Sequence, residues 1–104
     1  MDRGAELCFA DLRIDPVTHK VWRSEKEIDL TAKEYGLLEY FVRNANQVLT
    51  RTMIADHVWD YTFDSFTNII DVYVNYLRKK IDRDATVKLI HTVRGVGYIL
   101  KEGE

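Results

Sequence analysis

Apolar and polar residues follow different rhythms along the 104 residues, and each rhythm predicts a different element. Over the first thirty positions the apolar runs are short: Leu7-Cys8-Phe9, Leu12-Arg13-Ile14, Lys20-Val21-Trp22-Arg23 and Glu27-Ile28-Asp29-Leu30. Turn material such as Asp15-Pro16-Val17-Thr18 and Ser24-Glu25-Lys26 separates them, which predicts a small antiparallel sheet. At position 31 the signals change to helical ones. Thr31 and Glu34 have the spacing of a capping box, in which the hydroxyl accepts from the Glu34 amide and the carboxylate reaches back. Leu30 and Tyr35 flank it as a hydrophobic staple. Leu38, Phe41, Val42 and Ala45 then mark the buried face of a first helix ending near residues 44–46. Leu49-Thr50 repeats the opening signal, with Leu49 and Ile54 as staple, and predicts a short second helix to about Trp59.

The strongest periodicity covers residues 66–82. Phe66, Ile70, Val74, Leu77 and Ile81 recur at three- and four-residue spacings and share one face of a third helix. Asn68, Val72, Asn75, Tyr76 and Lys79 fall on the opposite face. That face offers amide and phenol groups at its centre and a basic end at Arg78, Lys79 and Lys80. An ordinary amphipathic helix, its basic C-terminus favoured by the helix dipole, accounts for this stretch alone equally well. The residues after the helix tip the balance. Residues 83–86 form a polar connection, and residues 87–93 and 98–101 read as strands joined by Arg94-Gly95-Val96-Gly97, whose glycines permit the positive φ of a tight hairpin. Two short helices, a longer one and an arginine-tipped hairpin have the order of a helix-turn-helix variant with a wing. An arginine in that place suits a narrow, strongly negative minor groove.

Composition narrows the function classes. An apolar content of 46% suffices for one compact core. No run approaches the ~20 apolar residues of a membrane span, and no secretion leader is visible. Cys8 is the only cysteine, so an internal disulfide and a thiolate zinc cluster are excluded, and a reducing cytoplasm is the natural location. A lone cysteine in an edge strand reads as a small buried hydrophobe. His19, His57 and His91 are scattered without metal-ligand spacing, and Gly95-Val96-Gly97 lacks the third glycine and following helix of a dinucleotide fingerprint. Neither catalysis nor a cofactor is expected. The net charge of −2 argues at first against nucleic acid, but its distribution does not. Residues 1–60 hold 11 acids and 8 bases, whereas residues 66–101 hold 3 acids and 7 bases. Local field, not net charge, steers a polyanion.

These residues together resemble the winged-helix effector domains of OmpR/PhoB-type response regulators. The resemblance is carried by Leu30-Thr31-Ala32-Lys33-Glu34-Tyr35-Gly36-Leu37-Leu38, Val48-Leu49-Thr50-Arg51, His57-Val58-Trp59, Asp71-Val72-Tyr73-Val74, Leu77-Arg78-Lys79-Lys80-Ile81, and above all Ile90-His91-Thr92-Val93-Arg94-Gly95-Val96-Gly97-Tyr98. Residues 59–68 look most like the copper- and heavy-metal-responsive branch. The resemblance implies an α+β fold: an N-terminal four-stranded antiparallel sheet, three helices and a C-terminal β-hairpin wing. Residues 1–5 then read as a linker remnant before a domain spanning 6–102. It also implies an upstream phosphoacceptor receiver domain, through which a cognate sensor kinase would act.

The family likeness assigns roles by position. Ile69, Val72, Tyr73 and Tyr76 would lie nearest base edges in the major groove, and Arg51, Trp59, Asn68, Asn75, Arg78 and Thr92 nearest phosphates. Arg94 would enter the minor groove. The loop with Tyr61 and Phe63 matches a segment that touches RNA polymerase in relatives; both rings folding inward is the alternative. Several positions have a second reading: Tyr73 and Trp59 as packing residues, Arg78 as a dipole-stabilising surface arginine, Thr92 as an ordinary β-former. Many relatives carry arginine or lysine where Asn75 and Tyr76 stand, so guanine readout at Tyr76 and the overall salt dependence should be weaker. The implied function is occupancy of a direct-repeat promoter site on double-stranded DNA by a head-to-tail pair of domains that are monomers alone. The competing function is a winged-helix protein-interaction module.

Overall fold

A computed structural model describes residues 6–59 and 68–103. Four strands, β1 (Leu7–Phe9), β2 (Leu12–Asp15), β3 (Lys20–Arg23) and β4 (Lys26–Ile28), form an antiparallel sheet in chain order. Strand alternation sends Leu12, Ile14 and Val21 into the core and leaves a ladder of Cys8, Arg13, Trp22 and Glu27 on the other face. Arg13 lies 4.1 Å from the Trp22 ring centroid. Cys8 is therefore exposed, contrary to the expected buried position, because its neighbours Leu7 and Phe9 take the inward face. The fourth strand starts at Lys26 rather than Glu27, since a two-residue turn suffices once Ser24 adopts φ 57°.

Helix α1 (Ala32–Arg43) opens on the predicted capping box: the Glu34 amide donates to Thr31 Oγ1 (3.2 Å) and the Thr31 amide to Glu34 Oε1 (2.9 Å). Of its expected inward face Leu38, Phe41 and Val42 are buried, joined by Tyr35 and Leu37, while Ala45 lies past the end of the helix and is only partly buried. Leu49–Thr50 is more than a helix opening. It is a two-residue strand, β5, and Thr50 is also the N-cap of α2 (Arg51–Val58), accepting from the Met53 amide at 3.1 Å. Helix α3 (Ile69–Ile81) buries Ile70, Val74, Leu77 and Ile81. Phe66, the first turn expected for this helix, and the loop with Tyr61 and Phe63 lie outside the described residues, as do residues 1–5.

The C-terminal hairpin pairs β6 (Ile90–Val93) with β7 (Gly97–Leu100), and β5 joins β7 on its far edge, making a three-stranded sheet. Strand β6 begins at Ile90, not Val87, because Asp82 competes for the backbone there. Its carboxylate accepts from the amides of Leu89 (3.1 Å) and Ile90 (3.1 Å), while Lys88 Nζ donates to the carbonyls of Asp82 and Ala85. Of the two hairpin glycines only Gly95 has a positive φ, +73°. Gly97 serves closeness instead: a Cβ there would stand 2.0 Å from the Leu49 carbonyl oxygen.

Arg23 joins the two halves. It is buried, its Nε donates to Asp11 (2.7 Å), and one guanidinium nitrogen donates to both Asp82 Oδ1 (3.0 Å) and the Ile81 carbonyl (2.8 Å). The other reaches the Val87 carbonyl at 2.6 Å. One planar fork thus ties the N-terminal sheet to the end of α3 and the approach to β6.

Candidate nucleic-acid interface

The outward side of α3 is polar in the way its sequence predicts. Asn68 and Asn75 are exposed, Tyr76 is 46% exposed, and Val72 is half-buried. Asn68 is the N-cap of α3 and makes no side-chain capping bond, which leaves its amide free of that duty. Ile69 is half-buried in the first turn. Tyr73 leans toward the core edge, where its ring meets Trp59 edge-on at 5.2 Å and Tyr76 at 5.6 Å. Trp59 is itself half-buried, with Lys33 Nζ 5.6 Å from its ring. The packing role considered for Tyr73 and Trp59 is therefore realised, and the two rings brace α2 against α3.

One expected cation points elsewhere. Lys80 turns toward α1, where its ammonium meets the buried carboxylate of Glu34 at 2.7 Å. Burial raises the Glu34 pKa, but the Lys80 and Thr31 hydrogen bonds outweigh it and hold the carboxyl below its usual value. Lys80 thus belongs to the fold, leaving Arg78 and Lys79 at the basic end of the outward face of α3.

Arg51, Arg78 and Thr92 come from α2, α3 and β6, far apart in sequence, and the structure brings them together around two residues not singled out as site residues. Asp71 of α3 accepts from Arg51 Nε at 2.9 Å and from the Tyr98 hydroxyl of β7. Tyr98 also lies beneath both guanidinium groups, 5.4 Å from Arg51 and 5.5 Å from Arg78. Arg78 donates to the Thr92 hydroxyl, and its Nε is buried without a hydrogen-bond partner among the described residues. Burial pushes the Asp71 pKa up, but the bonds from Tyr98 and Arg51 prevail and lower it; burial and then Asp71 raise that of Tyr98. One carboxylate thereby fixes the second helix, the third helix and the wing relative to each other. The sequence signal for this pair lies in Asp71-Val72-Tyr73-Val74 and Gly97-Tyr98, but nothing local says that the two meet.

Arg94 occupies the hairpin tip. The loop Arg94-Gly95-Val96 links Val93 to Gly97, with the Val96 amide donating to the Val93 carbonyl at 2.9 Å, and Arg94 is exposed. Third helix and network form a surface of hydrogen-bond donors and cations, and β6 leads from Thr92 in that network to the exposed Arg94 just past its end. The histidines are used elsewhere: His19 stacks on Tyr35, His57 on Tyr40, and His91 Nε2 lies 3.0 Å and 3.2 Å from the carbonyl oxygens of Lys88 and Lys101. Among the described residues no cluster of His, Cys, Asp or Glu is placed to hold a metal ion, and no helix is long and apolar enough to cross a membrane.

Comparison with known proteins places this geometry. The family described as "Transcriptional regulatory protein, C terminal" matches residues 25–100. The chain is 58% identical over 97 residues to the transcriptional regulatory protein CusR of Escherichia coli K12, covering 93% of this chain and 43% of that protein. It is 48% identical over 96 residues to the response regulator MprA of Mycobacterium avium, covering 92% and 42%. The chain thus spans less than half the length of these relatives. Among solved structures, the Klebsiella pneumoniae RstA DNA-binding domain in complex with the RstA box superposes with a TM-score of 0.82 at 29% identity, over 92% of this chain and 96% of that one. The DNA-binding domain of the response regulator AdeR, in complex with an intercistronic region, gives 0.79 at 27% identity, over 91% and 97%. The chain belongs to the family of C-terminal domains of transcriptional regulatory proteins, and within it to the OmpR/PhoB-type winged-helix effector domains of response regulators.

Proposed function

We propose that this domain binds double-stranded DNA in a sequence-specific manner as the output module of a two-component transcriptional regulator. The observation that carries the proposal is the shared surface of α3, the Arg51–Asp71–Tyr98–Arg78–Thr92 network and the Arg94 tip, in a family whose RstA and AdeR members are known in complex with DNA. Helix α3 enters the major groove, with Ile69, Val72, Tyr73 and Tyr76 nearest base edges. Val72 and Tyr76 suit thymine methyl groups better than guanine, which prefers arginine. Arg51, Trp59, Asn68, Asn75, Arg78 and Thr92 meet phosphates, and Arg94 enters the minor groove.

In the whole protein a receiver domain phosphorylated by a sensor kinase drives pairing. Two domains then occupy a direct repeat head to tail, in the cytoplasm, with residues around Tyr61 and Phe63 meeting RNA polymerase. Kinship with the copper- and heavy-metal-responsive branch is part of the same proposal. Alone, the domain is monomeric and binds weakly, lacking the effective concentration of a linked partner.

Selection of bound fragments from a sheared genomic library identifies the site, and titration of the winning duplex against salt measures it. Enrichment of a short direct repeat, with affinity falling steeply as salt rises, is the expected result. Arg78→Ala with Arg94→Ala should abolish binding. Arg94→Ala alone, at an exposed tip, should weaken it at unchanged melting temperature. Specific binding that survives the double change overturns this docking; no enrichment at low salt, even with two domains linked, overturns the DNA function in favour of a protein partner.

A further inference from the structure

The basic surface extends past Arg78 and Thr92. A groove of about 550 Å³ runs between the C-terminal end of α3 and β6, lined by Arg78, Lys79, Arg83, Lys88, His91 and Thr92. Its one carboxylate, Asp82, is buried against Arg23 at 3.0 Å and occupied by the Leu89 and Ile90 amides, so it does little to cancel the positive field of the groove. Two of the basic groups are committed to the fold: Lys88 to backbone carbonyls after α3, and His91 Nε2 to the carbonyls of Lys88 and Lys101. Lys79 and Arg83 are different. Both are exposed, and neither has an ion pair or hydrogen bond to a described residue, whereas the adjacent Lys80 is held by Glu34.

Their place in the fold gives them a direction. Lys79 comes after Val72, Asn75 and Tyr76 at helical spacing on the outward side of α3, and Arg83 stands in the turn just after the helix. The middle of this face is neutral, and its unpaired cations are displaced to the end. We propose that this groove is a second phosphate-binding surface, in which Lys79 and Arg83 grip the DNA backbone beyond the phosphate held at Arg78 and Thr92. It rests on the DNA-binding function proposed above, and it assigns affinity to the rim of the reader helix where Asn75 and Tyr76 supply no charge. The ligand class is the sugar-phosphate backbone of duplex flanking the recognised bases, contacted without regard to sequence.

The test compares the domain with its Lys79→Ala/Arg83→Ala variant on the selected duplex and on the same duplex trimmed at its outer flank. Each phosphate contact contributes about 0.9 to the slope of log affinity against log salt. The double variant should therefore lose between about one and two from that slope and roughly tenfold in affinity at low salt, with its preferred sequence and melting temperature unchanged. Trimming should weaken the unchanged domain and leave the variant indifferent. A control removing two cations from the N-terminal sheet, Lys20→Ala/Lys26→Ala, should move the slope little. If the double variant keeps the full slope and still responds to trimming, or if the control matches it, the groove proposal fails while DNA binding stands. If the unchanged domain selects no DNA, both fail together.

Discussion

Replacing the hydrogen of Gly97 with a methyl group would put a carbon 2.0 Å from the Leu49 carbonyl oxygen and 2.8 Å from Thr50 Cα. Both obstacles are backbone, so β5 must move away from β7. Gly97→Ala should cost about 1–3 kcal/mol, the usual range for overpacking, read as a lower urea midpoint at unchanged m-value. Because Arg51 directly follows β5, the same change should also weaken DNA binding. Gly95→Ala strains a positive φ but meets nothing within 4 Å, so its loss should be smaller. The two glycines look alike in sequence. A turn between two strands announces Gly95, but only the third strand, two residues long and far earlier in the chain, explains Gly97. Asp71 and Tyr98 are similarly opaque: α3 is poor in acid, and the acid in its first turn is the residue that holds Arg51 and, through its bond from Tyr98, fixes the ring beneath Arg51 and Arg78.

Among elements, those with a local cause were legible. The capping box at Thr31 and Glu34, the inward faces of α1 and α3, and the short strands of the first sheet come from three-residue reach, 3.6-residue period and two-residue alternation, all visible within a window. Boundaries decided by distant groups were not legible. Residues 87–89 have strand composition, yet their backbone and side chains serve Asp82 and Arg23. Arg23 itself reads as the end of an amphipathic strand and is in fact the joint between sheet and helix. Arg23→Lys keeps the charge but cannot reach Asp11, Asp82, Ile81 and Val87 at once. Leaving Asp82 and two carbonyls poorly satisfied should cost about 2–4 kcal/mol in chemical unfolding. The loss should appear as destabilisation with little change in the DNA sequence selected, since none of these groups lies on the outward face of α3 and Asp82, which borders the basic groove, is turned inward against Arg23.

For the whole molecule, charge asymmetry was legible in the sequence, but which cations are free was not. Lys80 and Lys88 are counted in the basic half and are spent on Glu34 and on backbone carbonyls. Carboxylate pairings, one buried at Glu34 and two partly exposed at Asp11 and Asp71, contribute to the pH range of the fold. Asp11, Glu34 and Asp71 each have a lowered pKa: burial raises it, but hydrogen bonds from Ser24 and Arg23, from Lys80 and Thr31, and from Tyr98 and Arg51 respectively outweigh that and lower it. A group whose folded pKa lies below its unfolded value, 3.8 for Asp or 4.5 for Glu, contributes stability that is fully present above the unfolded value. That contribution disappears as pH falls through the folded value. Tyr35 has the opposite sign: burial and the nearby Glu39 charge push it from 10.0 to about 12, so its contribution holds below pH 10 and is lost as pH rises toward 12. The melting temperature should therefore be flat from about pH 5.5 to 9, fall below about 4.5, and fall again above 10. Glu34→Gln keeps a side-chain oxygen for the capping box but removes the charge that Lys80 meets, and should lower stability at neutral pH by about 1–2 kcal/mol. Its acid limb should be shallower than that of the unchanged domain, so the two curves converge toward pH 3. Parallel acid limbs would show that Glu34 does not carry the acid sensitivity, and would leave it to Asp11 and Asp71.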